Sequence, residues 1–219
     1  MANNDLKNTI VNNNVYIQTC IDDDKCTDII TGLSQLEQQI FPVSEMNTSA
    51  KIIAPYERFD KNQPNINVYI SSDGGDLFVA RTIINLFNML RAKGVIIRTY
   101  NLSYASSSAS IIAVSGTPGY RYMAHDAYNF IHFGNHPLTI KHENELNYSV
   151  ANEKKQNKLL HDIYLTNTKL TKKELSKFFN CENSGKLYAE QCLTKGLCDW
   201  VITPKGWINN VKDLQQSVR

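Results

Sequence analysis

No long hydrophobic run is present in this sequence of 219 residues, and the longest nearly apolar stretch covers only residues 109–114. A membrane-spanning helix needs roughly 20 apolar residues, so we expect no membrane segment. Neither sign of charge is in excess, since 23 Lys and Arg stand against 21 Asp and Glu. That balance argues against a nucleic-acid-binding protein. The first residues show no basic segment followed by an apolar one, so we expect no secretory signal and a cytoplasmic location.

The common metal-binding patterns are also missing. The five cysteines have no CxxC spacing, and the five histidines form no HExxH arrangement. A zinc ribbon, a thioredoxin motif and a zinc peptidase are therefore not predicted. In a chain without a predicted secretory signal, we expect the thiols to be reduced and structural. No metal site is expected.

Short apolar stretches alternate with amphipathic ones along the chain. Hydrophobic residues make up 42% of the sequence, which is enough for a buried core. The order of the predicted elements favours an α/β fold with helices on a largely parallel sheet, in a single domain over residues 1–219. Residues 40–64 are predicted to form an insertion loop, and 143–166 a long polar helix. Shorter helices are predicted over 106–114 and 186–195.

A pair of glycines lies between a predicted strand and a predicted helix, in the segment Ser72-Asp73-Gly74-Gly75. Glycines there allow positive φ and a close approach of the backbone to a ligand. Their N–H groups, next to a helix N-terminus, suit a developing negative charge. Such a segment is more often only a turn, so by itself it is a weak signal.

A cluster of serines follows the next predicted strand, in the segment SYASSSASIIAVSG. A serine at a sharp strand-to-helix turn can present its hydroxyl to a substrate. Ser106, Ser107, Ser108 and Ser110 compete for that role, and a run of small residues at a tight packing site explains the cluster equally well. His132 ends the apolar segment YNFIH, and histidine is the usual general base for a serine nucleophile.

Taken together, these segments resemble the proteolytic subunit of Clp protease, a ClpP-like serine peptidase with the ClpP/crotonase fold. INVYISSDGGD is similar to the family's strand followed by Asn-Ser-Pro-Gly-Gly, and YASSSASIIAVSGTPGYRYM to its nucleophile segment. NFIHF is similar to the strand that ends in Ile-His-Gln, and AEQCLTKGLCDWVI to the closing Gly-Leu-x-Asp segment. The resemblance covers about Asn65 to Ile202 and implies repeated β-β-α units with a projecting handle helix, here 143–166.

The resemblance also implies roles for particular residues. Alignment backward from Gly116 makes Ser107 the nucleophile, and the 25 residues from Ser107 to His132 match the family's spacing to its base. The backbone N–H groups of Gly75 and Ser108 would bind the oxyanion. We therefore expect a serine endopeptidase that cleaves unfolded polypeptides or peptides inside an oligomeric chamber.

The third member of the triad departs from the family's pattern, in which it is an aspartate. Alignment places Asn180 there, and Glu182 is the nearest carboxylate. Three possibilities remain: Asn180 orients His132 with reduced activity, Glu182 substitutes for it, or the chain is a weak or inactive structural subunit. We favour the first, because an asparagine can still accept the Nδ1–H of the histidine.

The resemblance further implies a homo-oligomer, with a heptameric ring and stacked rings as the family's arrangement. It implies no cofactor of the chain's own, since ATP would be used only by a partner Clp unfoldase of the AAA+ class. A phage head-maturation protease of the same fold is another possibility. A crotonase-like acyl-CoA enzyme and a Ser-Lys signal-peptide peptidase are disfavoured, because His132 lies at the correct spacing from Ser107.

Overall fold

A computed structural model describes residues 8–11, 13–40, 64–132, 143–180 and 185–217 of the chain. The strands are β1 (Asn8–Val11), β2 (Asn14–Ile17), β3 (Asn65–Ser72), β4 (Ile96–Ser106), β5 (Arg121–Ala124), β6 (Tyr128–Phe130), β7 (Lys186–Tyr188), β8 (Trp200–Thr203) and β9 (Gly206–Ile208). The helices are α1 (Asp23–Ile40), α2 (Leu77–Ala92), α3 (Ser108–Val114), α4 (Glu143–Asn167), α5 (Lys172–Asn180), α6 (Ala189–Lys195) and α7 (Val211–Ser217).

The described strands form one sheet that is parallel through its centre. Its main path runs β1-β2-β3-β4-β5-β8-β9, and the pairs from β2 to β8 along it are parallel. Strand β4 is long enough to pair with β5 through residues 99–101 and then with β6 through residues 104–106. The antiparallel pairs lie at the margins, as β1–β2, β6–β7 and β8–β9. The predicted α/β fold with a largely parallel sheet is confirmed.

The core lies between one face of the sheet and the helices. In β3 the buried positions alternate, with Ile66, Val68 and Ile70 directed to the core. Helix α2 buries an apolar stripe whose residues recur at helical spacing. The core is thus formed by every second side chain of the strand and by one face of the helix, which repeats every 3.6 residues. That stripe consists of Val79, Ala80, Ile83, Ile84, Phe87 and Leu90. The carboxyl group of Asp76 caps α2 by accepting the N–H groups of Phe78 and Val79, at 2.6 and 3.0 Å.

The opposite face of the sheet carries a row of aromatic rings on neighbouring strands. Tyr16, Tyr69, Tyr100 and Tyr122 stack in succession, with ring centroids 4.8–5.2 Å apart. Trp207 on β9 meets the edge of Tyr122 at 4.9 Å. The rings lie beside one another because in-register parallel strands place equivalent side chains at neighbouring positions.

Two element predictions need correction. Ser106 belongs to β4 and not to the helix predicted over 106–114, which begins at Ser108. Residues 186–188 form a strand and not the start of a helix over 186–195, because they pair antiparallel with β6. The long polar helix is present as α4. Residues 41–63 of the predicted insertion lie outside the described residues.

The described cysteines form no disulfide, and Cys181 lies outside the described residues. Cys26, Cys192 and Cys198 are buried, whereas Cys20 is exposed. Burial raises the pKa of Cys198 to about 12 and raises that of Cys192 as well, so these two thiols are protonated at neutral pH. In the part of the chain that the structure covers, no helix is both long and apolar enough to cross a bilayer.

Candidate active site

Ser107 occupies the single residue between β4 and α3. Its backbone has φ 53° and ψ −125°, and among the described residues it alone has a positive φ without being glycine. This conformation is costly for a residue with a Cβ, and such residues cluster at functional sites. The sharp turn carries the chain from strand to helix and leaves the serine side chain at the corner, as at a nucleophile elbow.

Burial separates Ser107 from the other serines of the cluster. Ser106, Ser108 and Ser110 are buried, with 7%, 3% and 0% of their surface exposed, whereas Ser107 is partly exposed. The hydroxyl of Ser110 accepts a hydrogen bond of 2.8 Å from the Tyr164 hydroxyl on α4. Among these four serines, only Ser107 is open to an incoming substrate.

The Gly-Gly turn after β3 presses against the Ser107 corner. A Cβ built on Gly74, which has φ 94°, would lie 2.5 Å from Ser106 O, 2.8 Å from Ser107 Cβ and 2.9 Å from Ser108 N. Only a glycine fits there. The backbone N–H of Gly74 donates a hydrogen bond of 3.1 Å to Ser72 Oγ, and this bond holds the turn to the end of β3.

Gly75, the predicted oxyanion donor, is held on its other side by Ile21. A Cβ on Gly75 would lie 2.1 Å from Ile21 O, so this position also admits only glycine. The turn's own hydrogen bonds run from Ile21 N to Gly74 O at 2.7 Å and from Asp76 N to Ile21 O at 2.5 Å. They leave the Gly75 N–H unused. The Ser108 N–H, in the first turn of α3, has no intrahelical acceptor either.

His132 follows β6, the strand next to the terminal part of β4. Ser106 pairs with Phe130, and the Ser107 N–H donates to Phe130 O at 2.9 Å. The ring of His132 stacks on that of Phe130, with centroids 5.0 Å apart. Strands β3, β4 and β6 run parallel, so the Gly-Gly turn, Ser107 and His132 all follow carboxyl ends at one edge of the sheet.

Gly185 brings the chain back into contact with Ile131, the residue before His132. The Ile131 N–H donates to Gly185 O at 2.9 Å, and a Cβ on Gly185 would lie 1.8 Å from Ile131 O. Asn180 ends α5, five residues before Gly185, and its side chain lies outside the described part of the structure, as does Glu182. The segment that contains both candidates therefore leads into a direct contact with the residue before His132.

Two close contacts at the site were not predicted from the sequence, although Gly74 belongs to the glycine pair that the sequence singled out. Gly74 makes the close approach to the nucleophile, whereas Gly75 contacts Ile21, and Gly185 makes the close approach to the residue before His132. Each glycine is more than 30 residues away in the sequence from the residues it contacts, so no local sequence pattern could reveal these contacts. No group of three or more His, Cys, Asp or Glu suited to a metal ion occurs among the residues that the structure describes.

Comparisons with known proteins agree with this arrangement. A family model of Clp protease matches residues 22–205. The ATP-dependent Clp protease proteolytic subunit of Streptococcus suis (strain 98HAH33) is 28% identical over 165 residues, which cover 72% of this chain and 80% of that protein. Both findings support a ClpP-type protease of the serine peptidase class. With its fold and the match over most of its length, the chain belongs to the Clp protease family.

Proposed function

We propose that this chain is a serine endopeptidase of unfolded polypeptides or peptides, with Ser107 as the nucleophile and His132 as the general base. The observation that carries the proposal is the Ser107 corner. A partly exposed serine with a positive φ stands at the carboxyl end of a strand, beside the strand that leads to a histidine. Membership of the Clp protease family supports the same chemistry.

These positions support a reaction of the following kind. The Ser107 hydroxyl attacks the carbonyl carbon of the scissile peptide bond, and the imidazole of His132 takes its proton. The carbonyl oxygen becomes negatively charged and accepts hydrogen bonds from the N–H groups of Gly75 and Ser108. His132 then gives the proton to the leaving amine, the C–N bond breaks, and an acyl ester remains on Ser107. Water, activated by His132, hydrolyses this ester and restores the enzyme.

We include in the proposal that Asn180 is the third member of the catalytic triad and orients the ring of His132. An asparagine oxygen can accept the Nδ1–H of His132 and hold one tautomer. It offers no negative charge to the imidazolium, and in one serine protease the corresponding change from Asp to Asn lowered kcat by ~10⁴. Reduced activity is therefore expected. The second candidate function, a weak or inactive structural subunit of a ring, is favoured by this same asparagine.

Members of the family generally form oligomeric rings with Clp ATPases, and we extend this to the chain as a homo-oligomer. A heptameric ring, the stacking of rings and an AAA+ unfoldase as partner are part of the proposal. The matched relative is named as an ATP-dependent proteolytic subunit. ATP would be used by the partner, and the chain itself would need no cofactor. The cytoplasmic location and the single domain over residues 1–219 stay predictions.

A fluorophosphonate probe followed by intact-mass measurement tests the nucleophile. We expect one adduct on the unmodified chain and none on Ser107→Ala, with peptide hydrolysis lost in the same variant. Ser106→Ala, which alters the buried neighbour, should still be labelled. Sedimentation of Ser107→Ala should match that of the unmodified chain. Labelling of Ser107→Ala, or its absence from the unmodified chain, would contradict the assignment.

Variants between Asn180 and Gly185 test the third position. Asn180→Asp should raise kcat, since a carboxylate stabilises the imidazolium, and Asn180→Ala should lower it. Glu182→Gln, Asn183→Ala and Ser184→Ala serve as comparisons from the same short segment. A loss confined to Glu182→Gln would assign the role to Glu182. Unchanged rates in both Asn180 variants would remove Asn180 from the mechanism.

A further inference from the structure

A cleft with both polar and apolar lining residues lies between α2 and the second half of α4, and the catalytic proposal makes no use of it. Its volume is about 290 Å³, and Ser115, just after the end of α3, forms part of the floor. Since one water takes about 30 Å³ of liquid volume, the cleft has room for a small ligand with its waters. The polar side chains that matter for the argument are Arg81, Asn85, Asn88, Arg91, Asp162 and Asn167.

Arg91 is fixed in the wall of this cleft as a cation. Its guanidinium donates to Gly116 O at 3.2 Å and to Asn88 Oδ1 at 2.5 Å. Those two bonds leave three of the five guanidinium N–H donors unused. Both bonds are to neutral acceptors, so the charge of Arg91 has no counter-ion in them.

No acidic side chain of the described residues forms an ion pair with Arg91 or with Arg81. The nearby Arg121 adds a second positive charge, but Asp199 is bound to it and compensates it. Burial, together with Arg121, lowers the pKa of Arg91. A partly buried cation is ordinarily paired, because removal from water penalises an uncompensated charge.

We propose that this cleft is a binding site for a small oxyanion, a carboxylate or a phosphate group, held by Arg91 and Arg81. A guanidinium presents its donors as a planar fork that matches the oxygens of carboxylates and phosphates. The amides of Asn85 and Asn88 add neutral donors at the same wall. Asp162 is the opposing charge: it lies on the α4 side of the cleft and is exposed, so it weakens anion binding.

Calorimetric titration with inorganic phosphate and, separately, with acetate tests the site, at an ionic strength held constant with chloride. Arg91→Gln should weaken binding about ten-fold or more, since a charge-assisted hydrogen bond is lost. Arg91 also supports Gly116, so Arg81→Gln provides a second variant that removes no described hydrogen bond. Asp162→Asn should tighten binding. Lys205→Gln and Asp126→Asn, which make the same charge changes on exposed side chains elsewhere, should alter neither affinity.

Binding of phosphate alone would assign the site to phosphate groups, binding of acetate alone to carboxylates, and binding of both to oxyanions in general. Each result supports the proposal if the arginine variants weaken it. Failure of both anions to bind would overturn it. So would an affinity in Arg81→Gln and Arg91→Gln that equals the affinity of the unmodified chain. An acidic side chain of a second copy seated in the cleft, seen in a structure of the assembled protein, would also overturn it. The measurement needs no peptidase activity, so its outcome is independent of the proposed function.

Discussion

At the scale of single residues, the site depends on which serine is open to solvent. The sequence places four serines within five positions, and the hydrophobic periodicity of strands and helices does not distinguish one of them as the nucleophile. The structure separates them by contacts with distant residues: Ser110 meets Tyr164 on α4, and Ser107 stands against Gly74. Local sequence could not supply these contacts. Only the resemblance to the family, through the alignment from Gly116 and the spacing to His132, singled out Ser107 in advance.

Gly74→Ala should lower peptide hydrolysis by at least about 10², the usual cost of losing one oxyanion donor. Its new Cβ would overlap Ser106 O and Ser108 N, so the turn that carries Gly75 has to move. Steady-state kinetics measure the loss, and circular dichroism checks that the variant is folded.

Gly119→Ala is the matched control for Gly74→Ala. Gly119 also has a positive φ, of 89°, but nothing lies within 4 Å of a Cβ built on it. It should therefore cost only the local backbone penalty, about 1–2 kcal/mol of stability, and leave kcat unchanged. Equal activity losses in both variants would show that backbone strain, and not contact with the nucleophile corner, explains the effect.

At the scale of elements, the described part of α4 packs against the molecule through the second half of the helix. Among its described side chains Leu160 and Tyr164 are buried, whereas those described from 149 to 159 are exposed or only partly buried. The Tyr164 hydroxyl reaches α3, three residues beyond the proposed nucleophile. Helix α4 is therefore joined to the helix that follows Ser107 by one buried hydrogen bond and by apolar packing.

Tyr164→Phe should lower the free energy of unfolding by about 1 kcal/mol, because the Ser110 hydroxyl loses its buried partner while the ring still fills its site. Urea unfolding measures the change. Tyr188→Phe removes the same atom from a side chain that is 51% exposed, and it should have no measurable effect. An unchanged midpoint for Tyr164→Phe would show that the hydrogen bond contributes nothing to stability.

Helices and strands were predicted correctly where their hydrophobic periodicity extends over many residues. The prediction failed where a short strand forms only because it pairs with a strand distant in the sequence. Helix α2 shows its full apolar period in the sequence, and β3 its buried alternation. Strand β7 has only three residues, and it exists because the exposed edge of β6 pairs with it. A three-residue segment before a helical pattern carries no period of its own, so the sequence predicted helix there.

At the scale of the whole molecule, one ion pair connects segments that are far apart in the sequence. Arg121 binds both carboxylate oxygens of Asp199, through Nη2 at 2.7 Å and Nε at 2.8 Å. The same guanidinium donates to the carbonyl oxygens of Val114, at the end of α3, and Asn167, at the end of α4. The carboxylate also accepts the N–H of Gly119 at 2.8 Å. The arginine is buried, so both its charge and its donors need these partners.

Asp199→Ala should reduce the free energy of unfolding by about 3–5 kcal/mol, since it leaves a buried guanidinium without its counter-ion. Lys195→Ala is the comparison, because it breaks the more exposed pair with Glu174 and should cost about 1 kcal/mol or less. Guanidinium chloride unfolding at neutral pH measures both. Similar losses in the two variants would contradict the importance of burial.

The backbone of Ser107 implies a trade of stability for activity at the proposed nucleophile. Serine and alanine are both strained at φ 53° and ψ −125°, whereas glycine is not. Ser107→Gly should therefore be more stable than Ser107→Ala by about 1 kcal/mol, although both lack the hydroxyl. Thermal unfolding of the two variants measures the difference, and a less stable Ser107→Gly would contradict it. The most stable form of this corner is then one that lacks the hydroxyl of the proposed nucleophile, so a serine at this position costs stability that the proposed catalytic role would explain.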